Sequence, residues 1–274
     1  MTVGRTRGLW AQEVGEGPLV VLVHGAMDRA SSMLRVRRAL EGECRVMRYD
    51  RRGYGRSLPA GPATSFDQQV DDLSALVGSR VAVLVGHSLG GVICLALAER
   101  SPTLVGAVLA YEAPMMWEPW WPPDTAGAMA LASTAAGRHA GGDGGPSGEL
   151  DGDPGDAAEA FMRRMLGDAR WERLPAPVRA ERRAEGPTLL AELHSVHRPT
   201  AAPYQPELVT VPVVAAFGSE TQPQHRRGAE ELARRAPYGV LEMIDGADHG
   251  AHLTHPTAFA ELVRESLSLS TRRR

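Results

Sequence analysis

In the run Val83-Leu84-Val85-Gly86-His87-Ser88-Leu89-Gly90-Gly91 an apolar strand passes into a helix through a single G-x-S-x-G turn. Residues 81–85 are uninterrupted apolar sequence, as a strand at the centre of a sheet requires, and residues 92–99 have the composition of the helix after it. Turning directly from strand to helix forces the serine into strained backbone geometry. Side chains at the flanking glycine positions would collide with neighbouring elements. The turn aims the Ser88 hydroxyl into a cleft and points the Leu89 amide, at a helix N-terminus, to where negative charge develops on an attacked carbonyl. In a chain with 30 glycines the bare motif can arise by chance; the strand and helix beside it make it a nucleophile turn.

Outward from this turn, short β-branched runs alternate with segments of helical period, the signature of a mostly parallel sheet with helices on both faces. Strands are predicted over 8–14, 18–23, 45–50 and 105–111, and helices over 31–40 and 66–77, with Asp67 at the start of the latter. The alternation then stops. Between 113 and about 205 no strand is predicted; there are prolines, a glycine-rich stretch over 137–155, and helices over 156–166 and 188–196. Within that stretch Gly141-Gly142-Asp143-Gly144-Gly145-Pro146 is expected to be a loop. Strands return at 211–217 and 240–244, with helices at 226–235 and 257–267. The chain divides into an α/β core over 1–113, a helical insertion over 114–205 and the rest of the core over 206–274, without repeats.

With 274 residues, 43% hydrophobic and 23% charged, the composition is that of an ordinary globular protein. A net charge of −3 gives no electrostatic reason to expect a nucleic-acid partner. Every basic residue is arginine, and Arg272-Arg273-Arg274 is read as a solvated tail. The two cysteines, Cys44 and Cys94, form neither a disulfide framework nor a metal-site spacing, and both are expected to be reduced, Cys94 buried on a helix. The first apolar run, 19–23, is too short for a signal peptide core or a membrane span, so a cytoplasmic protein without membrane contact is expected. There is no metal-ligand spacing, phosphate-cradling loop or dinucleotide fingerprint, so neither metal nor cofactor is expected. Oligomeric state is not readable from the sequence.

Three motifs in order resemble the α/β-hydrolase superfamily: His24-Gly25 after the strand over 20–23, Asp50-Arg51-Arg52-Gly53-Tyr54-Gly55-Arg56-Ser57, and the Ser88 turn. The resemblance covers about 8–112 and 206–268. It implies an α/β-hydrolase fold with a helical cap, and an oxyanion hole made by the backbone amides of Ala26 and Leu89. Read without the family, the Asp50–Ser57 loop is structural, its glycines making tight turns and Asp50 capping amides.

A serine hydroxyl needs a neighbouring imidazole to become a nucleophile. Of nine histidines, His249 in Gly246-Ala247-Asp248-His249-Gly250 lies after a strand and before the last helix, where the superfamily's histidine loop falls. His24 belongs to the oxyanion loop, and His87 points away from the turn. His252 and His255 are read as solvated or helix-capping, with pocket lining the alternative; His139 falls in the glycine-rich region, and His194, His197 and His225 match no motif. The acid has two candidates. The resemblance puts it after the penultimate strand as G-x-x-D, but Phe217-Gly218-Ser219-Glu220-Thr221 has threonine there and Glu220 one position early. Glu112, closing the strand after the nucleophile helix, resembles the acid of haloalkane dehalogenases, though Ser88 excludes their aspartate chemistry. A carboxylate at that strand end is partly buried and demands a partner, which favours Glu112; Glu220 stays the alternative.

In the insertion, Trp117, Trp120 and Trp121 follow the proposed acid, and Met115, Met116, Met129, Met162 and Met165 add adaptable apolar surface. Most of these read as packing. His24, Met115 and Trp117 are taken as substrate contacts, and no charged cluster offers to grip a phosphate or carboxylate, so a small, largely apolar ester or lactone is expected. The same site could instead serve carbon–carbon bond hydrolysis, a cofactor-free lyase reaction or biosynthetic acyl transfer, and a ligand-binding protein without catalysis is the remaining reading.

Overall fold

In the computed structural model, which describes residues 2–123, 125, 152–197 and 202–272, eight strands form one sheet in the order β1-β2-β4-β3-β5-β6-β7-β8. These are β1 (Thr2–Thr6), β2 (Leu9–Val14), β3 (Leu19–Val23), β4 (Arg45–Tyr49), β5 (Ala82–His87), β6 (Val105–Tyr111), β7 (Val213–Gly218) and β8 (Gly239–Ile244). The pairings β1–β2 and β2–β4 are antiparallel, and every other pair is parallel. The α/β reading of the sequence matches this sheet.

The strand period of two sorts each central strand between two cores. Val21, Leu84, Val108 and Ala215 face one layer, packed by α2 (Phe66–Val77), α3 (Leu89–Arg100) and α8 (Pro223–Arg235). Leu22, Val85, Leu109 and Ala216 face the other, under α1 (Leu34–Ala39) and α10 (Pro256–Arg272). Because both faces are covered, β3 and β5 are buried along their whole length, which is why they read as continuous apolar runs. α3 is buried from Leu89 to Ala98 and apolar all round.

One strand boundary differs from the expectation. Residue 8 is not in a strand: Arg7 and Gly8, at φ +52° and +81°, form the two-residue turn of the β1–β2 hairpin, a geometry that asks for positive φ at both central positions. β1 itself, the polar TVGRT, has no apolar alternation to announce it. Asp67 stands in the first turn of α2, as expected of an acid at a helix start, and the cap itself is Ser65, whose side chain accepts a hydrogen bond from the Gln68 amide.

Between β6 and β7 the described residues hold α4 (Pro154–Leu166), α5 (Asp168–Glu172), α6 (Ala176–Arg183) and α7 (Gly186–His197). Ala157, Ala158, Met162, Trp171, Leu189, Leu190 and Leu193 from these helices pack with Met27 and Tyr54 of two core loops. The Gly141–Pro146 motif, His139 and Met129 lie outside the described residues.

Candidate active site

β5 ends at His87 and α3 begins at Leu89, so Ser88 alone makes the turn, at φ +52° and ψ −127°. That region is unfavourable for a residue with a Cβ. It is held by the Ser88 amide donating to the Tyr111 carbonyl (2.9 Å) and by the Gly91 amide donating to the Ser88 carbonyl (2.8 Å). A Cβ at Gly86 would lie 2.4 Å from the Gly91 backbone, and one at Gly90 would lie 2.3 Å from the Val23 carbonyl oxygen, so neither position tolerates a side chain. With α3 starting at Leu89, its amide is among the first-turn donors that no carbonyl of the helix can reach.

Facing the turn is the loop His24-Gly25-Ala26-Met27-Asp28, which leaves β3. His24 is fully buried. Its Nδ1 lies 2.8 Å from the Gly25 carbonyl, which can only accept, so Nδ1 carries the proton and Nε2 accepts from the Arg51 amide (2.9 Å). Burial first, and then the Arg51 charge, push its pKa down to about 4, keeping the ring neutral. Both nitrogens are spent on backbone, so His24 shapes the loop and offers nothing to a substrate, contrary to the expectation from sequence.

Arg51 completes the support, donating from Nε to the His24 carbonyl and from Nη2 to the Gly25 carbonyl, both at 3.0 Å. Its guanidinium pairs with Glu192 of α7, which also accepts from Tyr54 Oη (2.8 Å) and Gln69 Nε2 (2.8 Å). The pair is fully buried. Glu192→Ala therefore leaves an uncompensated charge and is expected to cost about 3–5 kcal/mol of stability, whereas Arg51→Met together with Glu192→Leu costs far less. Urea titrations of both variants check this; equal losses would contradict it.

Glu112 follows β6 at φ +48° with no exposed surface. Oε1 accepts from the Gly218 amide (2.9 Å), and Oε2 accepts from Thr221 Oγ1 (2.8 Å) and from His249 Nδ1 (2.6 Å). Burial pushes this carboxyl up, but the hydrogen bond and charge of His249, with the Gly218 amide, outweigh it and hold the group below the usual carboxylate range. Glu220 is exposed, and its backbone amide donates to the Ala247 carbonyl. Thr221, standing where aspartate was expected, donates its hydroxyl to the glutamate that meets the histidine.

The turn carrying His249 is tied to both neighbouring strand ends. His87, one residue before Ser88, donates from Nε2 to the His249 carbonyl (2.8 Å); Tyr111, one residue before Glu112, donates its hydroxyl to the Asp248 carbonyl (2.8 Å). The fold thus brings Glu112 and His249 together beside the Ser88 turn and leaves Glu220 out. Met115 is fully buried in the core, and Trp117 is half-buried, edge-on to Tyr204 with ring centroids 5.4 Å apart. His194 is exposed on α7, while His197 and His255 are half-buried.

His225 matches no sequence motif. Its ring stacks on His249 (4.5 Å between centroids, 27° between planes), and burial, then His249, push its pKa down to about 3. The packing of α8 against β7 and β8 brings it there. No metal-ligand spacing stands in the sequence, yet two clusters of three donors arise: Glu112, His225 and His249, and Asp28, His87 and His252, with donor atoms within 4.8 Å of one another in each.

Residues 20–262 match the model of the alpha/beta hydrolase family. The chain belongs to that family. Within this alpha/beta hydrolase, a stretch is 34% identical over 103 residues to the uncharacterized hydrolase YraK of Bacillus subtilis (strain 168), covering 36% of the chain and 38% of the relative. Another is 35% identical over 104 residues to the pimeloyl-[acyl-carrier protein] methyl ester esterase of Aliivibrio fischeri (strain MJ11), covering 38% and 40%. The chain thus spans well under half the length of these curated relatives. Among solved structures, a thermophilic esterase from Thermogutta terrifontis superposes with a TM-score of 0.69 at 22% identity, covering 96% of this chain and 93% of that one. Est816, described as an N-acyl homoserine lactone degrading enzyme, gives 0.67 at 21%, covering 96% and 99%. At these identities the structures speak for the fold of this alpha/beta hydrolase.

Proposed function

We propose that the protein is a serine hydrolase in which Ser88 is the nucleophile, His249 the base and Glu112 the acid, acting on an ester or lactone. The observation that carries this is the 2.6 Å contact between His249 Nδ1 and Glu112 Oε2, at the mouth of the strained Ser88 turn. With Nδ1–H committed to the carboxylate, Nε2 is left as a lone pair to take the Ser88 proton. Oγ attacks the carbonyl carbon, and the oxyanion forms against the amides of Ala26 and Leu89. The imidazolium, stabilised by Glu112, returns its proton to the departing alcohol; water then enters by the same route and releases the acyl group.

Among the described residues, the helices α4 to α7 between β6 and β7 are the lid over this site, part of the insertion expected over 114–205 between the core stretches 1–113 and 206–274. Charges at its contact with the core are already paired, Arg51 with Glu192 and Arg29 and Arg182 with Glu185, so they offer no grip to an ionic substrate. Half-buried Met116, Trp117 and Trp120 supply apolar surface beyond Glu112. A small, uncharged, largely apolar substrate follows. Buried, free Cys44 and Cys94 suit a reducing cytoplasm. No described helix is long and apolar enough to cross a membrane.

A fluorophosphonate probe is expected to label the protein once, on Ser88, as read by peptide mass spectrometry. Absence of label at Ser88 in folded protein would overturn the proposal.

A further inference from the structure

Beneath the Ser88 turn lies a second group of side chains that the proposed reaction does not use. His87 and His252 lie with ring centroids 4.2 Å apart, tilted by 42°, and are 6% and 2% exposed. His87 Nε2 faces the His249 carbonyl, which can only accept, so the proton sits on Nε2 and the other nitrogen, Nδ1, is a bare lone pair. Among the described residues it meets no hydrogen-bond partner, and neither nitrogen of His252 makes a formed hydrogen bond there. Buried polar atoms left this way are costly. Beside them is the half-buried carboxylate of Asp28.

The spacing is that of metal donors. His252 Nε2 stands 3.4 Å from Asp28 Oδ2, outside hydrogen-bond geometry. Two donors bound to one zinc ion at tetrahedral angles lie about 3.3 Å apart. One donor atom from each of the three residues lies within 4.8 Å of the others, so small side-chain rotations close the set. The outer shell is in place as well. His87 donates its remote N–H to a backbone carbonyl, and Asp28 accepts from Ser32 Oγ (2.7 Å) through Oδ2 and from the Arg29 amide (2.8 Å) through Oδ1. Metal-bound imidazoles and carboxylates are oriented by partners of this kind.

We infer that Asp28, His87 and His252 form a divalent-cation site of two imidazoles and one carboxylate, with zinc the fitting ion. Asp28 sits on the loop after β3, His87 beside Ser88, and His252 three residues past His249. A bound ion ties together the three segments that carry the proposed oxyanion donor, nucleophile and base. The inference stands on these donors alone, whichever role Ser88 has.

The test is calorimetric titration of chelator-stripped full-length protein with zinc chloride, alongside the visible spectrum with cobalt(II). Expected are one ion per chain, a four-coordinate cobalt spectrum, and a Kd weakened at least about tenfold in both His252→Ala and Asp28→Asn. Asp28→Asn keeps the shape and guards against a folding artefact, which thermal melts of both variants also exclude. His225→Ala, which removes a donor from the other cluster, is expected to keep the ion. No stoichiometric uptake, uptake unchanged in Asp28→Asn, or uptake lost in His225→Ala overturns the assignment and leaves an Asp28–His252 ion pair only.

Discussion

Replacing Ser88 with alanine is expected to lower kcat on any ester or lactone that the wild type hydrolyses by roughly 10⁶-fold, with a small change in KM. In the proposed scheme the hydroxyl forms the covalent bond, so the loss falls on the chemical step rather than on binding. His249→Ala is expected to lose a similar amount, because an unactivated serine is nearly as useless as none. Nucleophile and base act as one unit, so the double variant should be scarcely worse than either single one. Additive losses would show the two working separately and contradict the scheme. Ser88→Ala keeps the Cβ at φ +52° and removes only the hydroxyl, so the strain of the turn is unchanged and the melting temperature should move little. That separates lost chemistry from lost fold.

Glu112→Gln is expected to reduce kcat by roughly 10⁴-fold while the protein stays folded. The carboxylate accepts on both oxygens: Oε1 from the Gly218 amide, Oε2 from Thr221 and His249. Glutamine has one acceptor oxygen. If it serves Gly218, the new NH₂ points at Thr221 and His249, whose Nδ1 must then accept. That moves the imidazole proton to Nε2, where the lone pair is needed. Glu220→Gln, on an exposed side chain, is expected to leave kcat within about twofold, as surface changes away from a site generally do. Steady-state kinetics on one activated ester measures both. A near-normal Glu112→Gln, or a large loss in Glu220→Gln, would remove Glu112 from its role.

What could be read in the residues alone was whatever local geometry writes into neighbouring positions. The Ser88 turn is legible because strand, turn and helix fall within a dozen residues and because Gly86 and Gly90 stand where backbone approaches to 2.4 and 2.3 Å. The central strands are legible because burial on both faces makes them apolar throughout. β1 was not: as an edge strand on the antiparallel side it keeps polar residues and pairs through its backbone.

The site's remaining members depend on contacts that no local pattern encodes. Glu112 and His249 are 137 residues apart, and two acids at neighbouring strand ends satisfy the same sequence logic until the sheet order places β6 between β5 and β7. Arg51 and Glu192 are 141 apart and fully buried, a partnership invisible in a chain whose arginines otherwise read as surface. His225 and His252 carry no motif, and the motif that holds His87 does not say what its ring meets, because these surroundings are made by packing helices and loops against strand ends. Sequence determined the turn that exposes a nucleophile and the alternation that builds its sheet, since both are short-range matters of sterics and burial. Tertiary structure alone decided which carboxylate meets the imidazole, what holds the loop after β3 and which buried histidines share a pocket, because those are questions of distance between segments brought together only by the folded sheet.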